Sequence, residues 1–186
     1  MTSIAPCPSR FVRRFASDKR GVSAVEFALI APLMIGLYLG CAEIANGVGA
    51  DRKVSLTSAT LANLASQVTT LSTSDMTNIL NASSAIIQPY SPSNLKATLS
   101  CLSISSTGKV TVSWSATLNG TARGTGSSVT IPSALAVPSS QLLFAEVSYA
   151  YTPTVAYTIT GTLTLSDQMY MAPRITAPTY GTTTCP

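Results

Sequence analysis

The hydrophobic pattern of this chain changes period twice. From Gly21 to Ala42 it reads GVSAVEFALIAPLMIGLYLGCA, apolar along its length except for the carboxylate of Glu26. Its core, Val22 to Cys41, holds about 20 residues, which at ~1.5 Å rise per residue span a bilayer core of ~30 Å. Pro32 removes one backbone donor and is expected to kink this helix, which membrane helices tolerate. Beyond Ala42 the helical period continues in amphipathic form. Leu61, Leu64, Ala65 and Val68 share one face, and Val54, Leu61 and Val68 recur every seventh residue. Asp51, Arg52, Ser55, Ser58 and Asn63 are expected to face away, and Gly47 and Gly49 to loosen the helix as a flexible joint. Such a stripe must lie on something, and the downstream sheet is the candidate.

Ser72-Thr73-Ser74 breaks the pattern. Ser74 is read as the cap of a short helix from Asp75 to about Gln88, with Met76, Ile79, Leu80, Ser83 and Ile87 on one face and Pro89 and Pro92 ending it. From Leu95 the period becomes two. Leu95, Ala97, Leu99 and Cys101, then a turn at Ser106-Thr107-Gly108-Lys109, then Val110, Val112, Trp114, Ala116 and Leu118 predict a hairpin. A flexible loop carries Arg123. Leu142 to Tyr151 predicts a third strand, with Leu143, Ala145, Val147, Tyr149 and Tyr151 on one face and Phe144 on the other. Tyr157 to Ser166 predicts a fourth, with Gly161 as a bulge, and Met169 to Thr176 a short edge strand. A long helix on an antiparallel sheet is an α+β architecture. The segments are a basic leader (1–21), a transmembrane helix (22–42), an amphipathic extension (43–71), a short helix and Pro-rich loop (72–94), and an antiparallel sheet domain (95–186).

Charge adds topology. Only 10% of the 186 residues are charged and the net charge is +4. The first 20 residues hold Arg10, Arg13, Arg14, Lys19 and Arg20 against Asp18, so the excess belongs to the leader. A positive flank before an apolar span predicts a cytoplasmic N-terminus and an exported C-terminal bulk, rather than a nucleic-acid surface. Glu26 needs a reason, because a carboxylate inside such a span costs roughly 2.5–3.5 kcal/mol on insertion scales. Either it snorkels to the headgroups, or it meets a buried cation. Cleavage after Gly21 would create such a cation: the new α-amine of Val22 stands one helical turn before Glu26, and that amine on a neighbouring copy could pair with it.

The run Lys19-Arg20-Gly21, then Val22-Ser23-Ala24-Val25-Glu26-Phe27, is similar to the prepilin peptidase site of type IV-type pilins. Its continuation resembles the TadE/TadG-like family of the tight-adherence (Tad, Flp-type) pilus system. The resemblance rests on Glu26-Phe27-Ala28-Leu29, Pro32 and Glu43, with a second patch at Asp51-Arg52-Lys53 and at Leu61-Ala62-Asn63-Leu64-Ala65-Ser66-Gln67. Fainter echoes stand at Trp114-Ser115, at Glu146 to Tyr151 and at Ala172-Pro173-Arg174 with Cys185. The resemblance implies a pilin-like fold and a minor pilin or pseudopilin cut between Gly21 and Val22, with Val22 to Gly36 in a shared helical core and a priming, tip or adaptor role. Its implied partners are a prepilin peptidase, other TadE/TadG-like minor pilins, the major Flp-type pilin and the inner-membrane pilus platform. Its implied location is the bacterial inner membrane as a single-pass protein with a periplasmic C-terminal domain, or the extracellular pilus. The alternative is an uncleaved bitopic periplasmic scaffold or adhesin of the same machinery.

The remaining chemistry is sparse. Of four cysteines, Cys7 lies in the leader and Cys41 ends the span. Cys101 and Cys185 lie in the predicted exported part, where a bridge tying the tail to the sheet can persist; two free thiols or an intermolecular bond are the alternatives. Gly40-Cys41 resembles a lipoprotein site poorly, since Tyr38 stands where a branched aliphatic is wanted, and Cys41-Ala42-Glu43 is a mediocre signal peptidase site. With no His and no CxxC pair, neither a metal site, a cofactor site nor a serine or cysteine triad is expected, and the chain reads as no enzyme. Glu146 and Asp167 could in principle meet as a glycosidase-type pair; the plainer reading makes them surface groups or partners of Arg123 and Arg174. Tyr149, Tyr151, Tyr157, Tyr170 and Tyr180 read as sheet packing or as a contact surface.

Overall fold

A computed structural model describes residues 20–154 and 161–186. Arg13, Arg14, Lys19 and Cys7 lie outside the described residues, as do the first residues of the predicted strand at Tyr157. The chain divides into two units, 1–42 and 43–186.

Helix α1 is Arg20–Ser66, with Pro32 inside it. It ends sooner than the periodicity predicts. Thr70–Leu71 is instead a short strand, β1, paired in parallel with β6, Thr179–Tyr180. Helix α2 is Thr73–Ile86, and its cap is Ser72, not Ser74. The Asp75 amide donates to Ser72 Oγ (3.1 Å) and the Ser72 amide donates to Asp75 Oδ2 (3.1 Å), a reciprocal capping box. Ser74 has Thr77 three residues on and cannot build the same box. The main sheet has the order β3-β2-β4-β5, all antiparallel, from β2 (Leu95–Ile104), β3 (Val110–Leu118), β4 (Ser140–Tyr151) and β5 (Leu163–Met171). β5 therefore starts later than Tyr157 among the described residues and absorbs Met169, which was assigned to a separate edge strand. The long apolar helix and the antiparallel four-stranded sheet make an α+β fold.

One face of the sheet packs on the helices. Ala50, Val54, Leu61, Ala62 and Ala65 of α1, with Met76 and Leu80 of α2, bury against Leu95, Ala97, Leu99, Leu143, Ala145 and Val147. Each large apolar side chain so buried contributes about 1.5–3 kcal/mol. Ser58 does not face away. It is fully buried with Thr57 on the sheet side, and donates to the Asp167 carboxylate. That bond lets a polar residue occupy the seam without the penalty of an unpaired hydroxyl.

The opposite face carries a second apolar cluster of Leu102, Ile104, Val110, Val112, Leu142 and Phe144, covered by Val129, Ile131 and Leu135 of the long connection before β4. The hairpin reading placed Val110 and Val112 on the same face as Trp114. A bulge overturns this: Cys101 pairs with Trp114 but Leu102 pairs with Val112, leaving Ser113 as the extra residue. The extra residue reverses the alternation, so β3 feeds one cluster before the bulge and the other after it.

Candidate assembly helix and surface groove

In the first unit, residues 22–42 present apolar side chains around the whole circumference of α1. Val22, Phe27, Leu29, Leu33, Leu37 and Tyr38 are all exposed. A helix apolar all round and unburied within its own chain has the length and composition to cross a membrane once. Gly21 and Val22 already lie within the helix, and Glu26 stands one turn beyond Val22 on the same side. Nothing stands within 4 Å of a Cβ built on Gly21. Pro32 leaves the Ala28 carbonyl without its usual intrahelical donor. Cys41 is a free, exposed thiol.

In the second unit, the residues of α1 that carried the family resemblance work mainly as fastenings. Glu43 accepts from the Thr154 amide (2.6 Å) at the end of β4. Lys53 donates to the Ile86 carbonyl (3.1 Å), supplying the cation that α2 lacks in its own last turn. Asn63 Oδ1 accepts from the Arg174 guanidinium (2.8 Å), while the Arg174 amide donates to the Ser66 carbonyl (3.0 Å), so residue 174 closes the C-terminus of α1.

Gly47 and Gly49 were read as a loose joint, but α1 stays regular through both. Tyr90 donates its phenol to the Asn46 carbonyl (2.8 Å), and a Cβ on Gly49 would stand 3.0 Å from that phenol oxygen. Tyr151 packs over Gly47. The Tyr90 ring centroid lies 6.2 Å from that of Tyr149, in a tilted arrangement, and 6.2 Å from that of Tyr151, edge-on. Burial pushes the Tyr149 and Tyr151 phenols up from their ordinary value, with the Glu43 carboxylate adding to the effect at Tyr151.

Cys101 and Cys185 are joined in a disulfide. It holds the tail against the sheet beside Trp114, which donates to the Pro178 carbonyl (2.9 Å) and packs on Tyr180. Glu146 and Asp167 do not form a carboxylate pair. Val147 is the cross-strand partner of Asp167, so the two acids point to opposite faces. Glu146 takes both donors of Arg123 (2.7 and 2.6 Å), which holds the guanidinium pKa up. Arg123 also lies over Phe144, itself stacked on Tyr170 at 4.5 Å.

That ion pair walls a groove that periodicity could not foretell, because its two sides come from distant stretches. The floor is two rows across the sheet: Lys96, Ser148 and Ser166, then Thr98, Glu146 and Gln168. Thr121 and Arg123 form the side, and the volume is about 380 Å³. The loop reaches this position because Gly120 allows it; a Cβ there would sit 2.8 Å from Thr117 Oγ1. Among the described residues no cluster of His, Cys, Asp and Glu could hold a metal ion.

No curated protein and no solved structure matches the chain. A family model, described as TadE-like protein, matches residues 21–66, which is 46 of the 186 residues and almost the whole of α1. Over residues 21–66 this chain is TadE-like, as its sequence pattern suggested, and that ties it in general terms to the Tad pilus system.

Proposed function

We propose that the chain is a minor pilin or pseudopilin of the Tad pilus. A prepilin peptidase hydrolyses the Gly21–Val22 bond, and the freed helix then enters the pilus or its initiating complex in a priming, tip or adaptor role. The observation that carries this reading is a single carboxylate, Glu26, one turn past Val22 on a helix otherwise apolar on every side. Before cleavage its charge has no cation of its own span to meet. After cleavage, the ammonium of Val22 on a neighbouring subunit pairs with it in a dry interface, where an unpaired carboxylate is strongly disfavoured. The partners are other TadE/TadG-like subunits, the major pilin and the inner-membrane platform. The role is structural rather than catalytic, with the 43–186 unit on the periplasmic side.

N-terminal sequencing of the mature protein from its native membrane tests this reading. Val22 as the first residue, with or without N-methylation, is the expected result. An intact Met1 or Thr2 terminus overturns it in favour of an uncleaved bitopic scaffold. In the same background Glu26→Ala is expected to insert normally and to abolish assembly; normal pilus production by that variant would remove the pairing argument.

A further inference from the structure

The second apolar cluster explains only half of the outer sheet face. Val129, Ile131 and Leu135 cover the half at Leu102, Ile104 and Leu142. The other half is left open and polar, with Lys96 opposite Ser148 and Thr98 opposite Glu146 across β2 and β4, and Ser166 and Gln168 continuing the rows on β5. We propose that this groove binds an acidic saccharide.

The lining selects the ligand class. Hydroxyls of Thr98, Thr121, Ser148 and Ser166 and the amide of Gln168 each both donate and accept, which matches a ligand whose own groups do the same. Glu146 is committed to Arg123 through two hydrogen bonds, so neither charge is available to a ligand without breaking the pair. Lys96 is exposed, and among the described residues its ammonium has no hydrogen-bond or ion-pair partner. Asp167 also borders the groove, but its carboxylate accepts from Ser58 on the helix side of the sheet. The groove therefore carries one uncommitted positive charge among hydroxyls, an amide and charges already engaged, which calls for a polyol bearing a carboxylate. A peptide fits less well. The groove lies across strand faces rather than along a free edge, so it offers no main-chain ladder, and it has no alternating apolar pockets for side chains. Its volume is within the range of small-ligand sites.

The test uses the full chain in detergent micelles and a trimer of galacturonic acid as probe, with a neutral galactose trimer and triglutamate as comparisons, followed by calorimetry or by amide shifts of residues 96, 148 and 168. The uronate trimer is expected to bind saturably and more weakly at high salt. Lys96→Ala should weaken it about threefold to tenfold, the scale of one exposed charge contact. Ser148→Trp, which fills the floor, should abolish binding, with the thermal midpoints of both variants matching wild type. The inference is overturned by absence of saturable binding, by binding that neither variant changes, or by triglutamate binding as tightly as the uronate. None of these outcomes bears on cleavage at Gly21.

Discussion

Replacing both Cys101 and Cys185 by Ala probes how the tail is held. The bridge closes a loop of sequence separation 84 between a fully buried position on the central strand β2 and the C-terminal tail. In the chain-entropy account, a closed loop of that length restricts the unfolded ensemble by about 4.5 kcal/mol at 25 °C, and removals from native proteins cost ~2–5 kcal/mol. Part of the tail is fastened independently, through the Trp114–Pro178 bond, the β1–β6 pairing and the Arg174–Ser66 bond, so the folded geometry should survive the change. The expected fall in melting temperature is on the order of 10 °C, at ~2–4 °C per kcal/mol for a chain of this size. The chain has one tryptophan, and it touches the tail, so its fluorescence reads the transition directly. Reduced wild type should melt with the double variant. Equal midpoints for oxidised, reduced and Ala-substituted protein would refute the reasoning, as would free thiol titrating at Cys101 or Cys185 in the native protein.

Two further outcomes follow from local geometry. Gly47→Ala should stabilise the protein by about 1 kcal/mol, since helix propensity favours Ala and the new methyl meets Tyr151 at ordinary contact distance, 3.8 Å. Gly49→Ala should gain less or nothing, because its methyl would press the Tyr90 phenol at 3.0 Å; denaturant titration of the two variants measures the difference, and equal gains would mean that Tyr90 yields freely. Asp75 is held below its ordinary pKa by the Ser72 hydroxyl first and the Ser72 amide second. A depressed folded pKa stabilises the native state above the unfolded carboxylate value and ceases to do so as pH falls through the folded one, so the capping box should weaken only in acid. The Asp75 carboxyl resonance should titrate lower than in Ser72→Ala, and coincident titrations would argue against the box.

Periodicity revealed what repeats and missed what occurs once. The span at 22–42, the strand faces of β2 and β4 and the buried face of α2 each rest on several residues in phase, so any one exception is outvoted. Ser113 is a single inserted residue, and nothing in VTVSWSATL marks it, yet it transfers Val110 and Val112 to the other side of the sheet. β1 and β6 are two residues each and lie more than a hundred positions apart, so their pairing is a tertiary event without a local signature. Ser58 is expected to face outward because it is polar, but burial follows the partner available, and Asp167 is such a partner. The cap is a different case. Ser72-Thr73-Ser74-Asp75 carries the acid three residues after Ser72, so spacing alone could have chosen it over Ser74.

These one-off contacts also determine how the globular unit grips its part of α1. Glu43 is tied to Thr154, Asn46 to Tyr90, Ser58 to Asp167 and Asn63 to Arg174, so the ties are spread along the helix rather than gathered at one end. Between them the contact surface mixes small residues, Gly47, Gly49, Ala50, Ala62 and Ala65, which let the backbone approach the sheet, with two larger knobs, Val54 and Leu61. The polar ties help to fix the helix register. A slip of one helical turn, ~5.4 Å, would carry all four donor–acceptor pairs beyond hydrogen-bond distance together. The helix is thus held against axial slip by several bonds in parallel, whose combined loss exceeds that of any one taken alone. Removing a single tie, as in Asn63→Ala, should therefore leave the register intact, whereas removing ties at both ends should not.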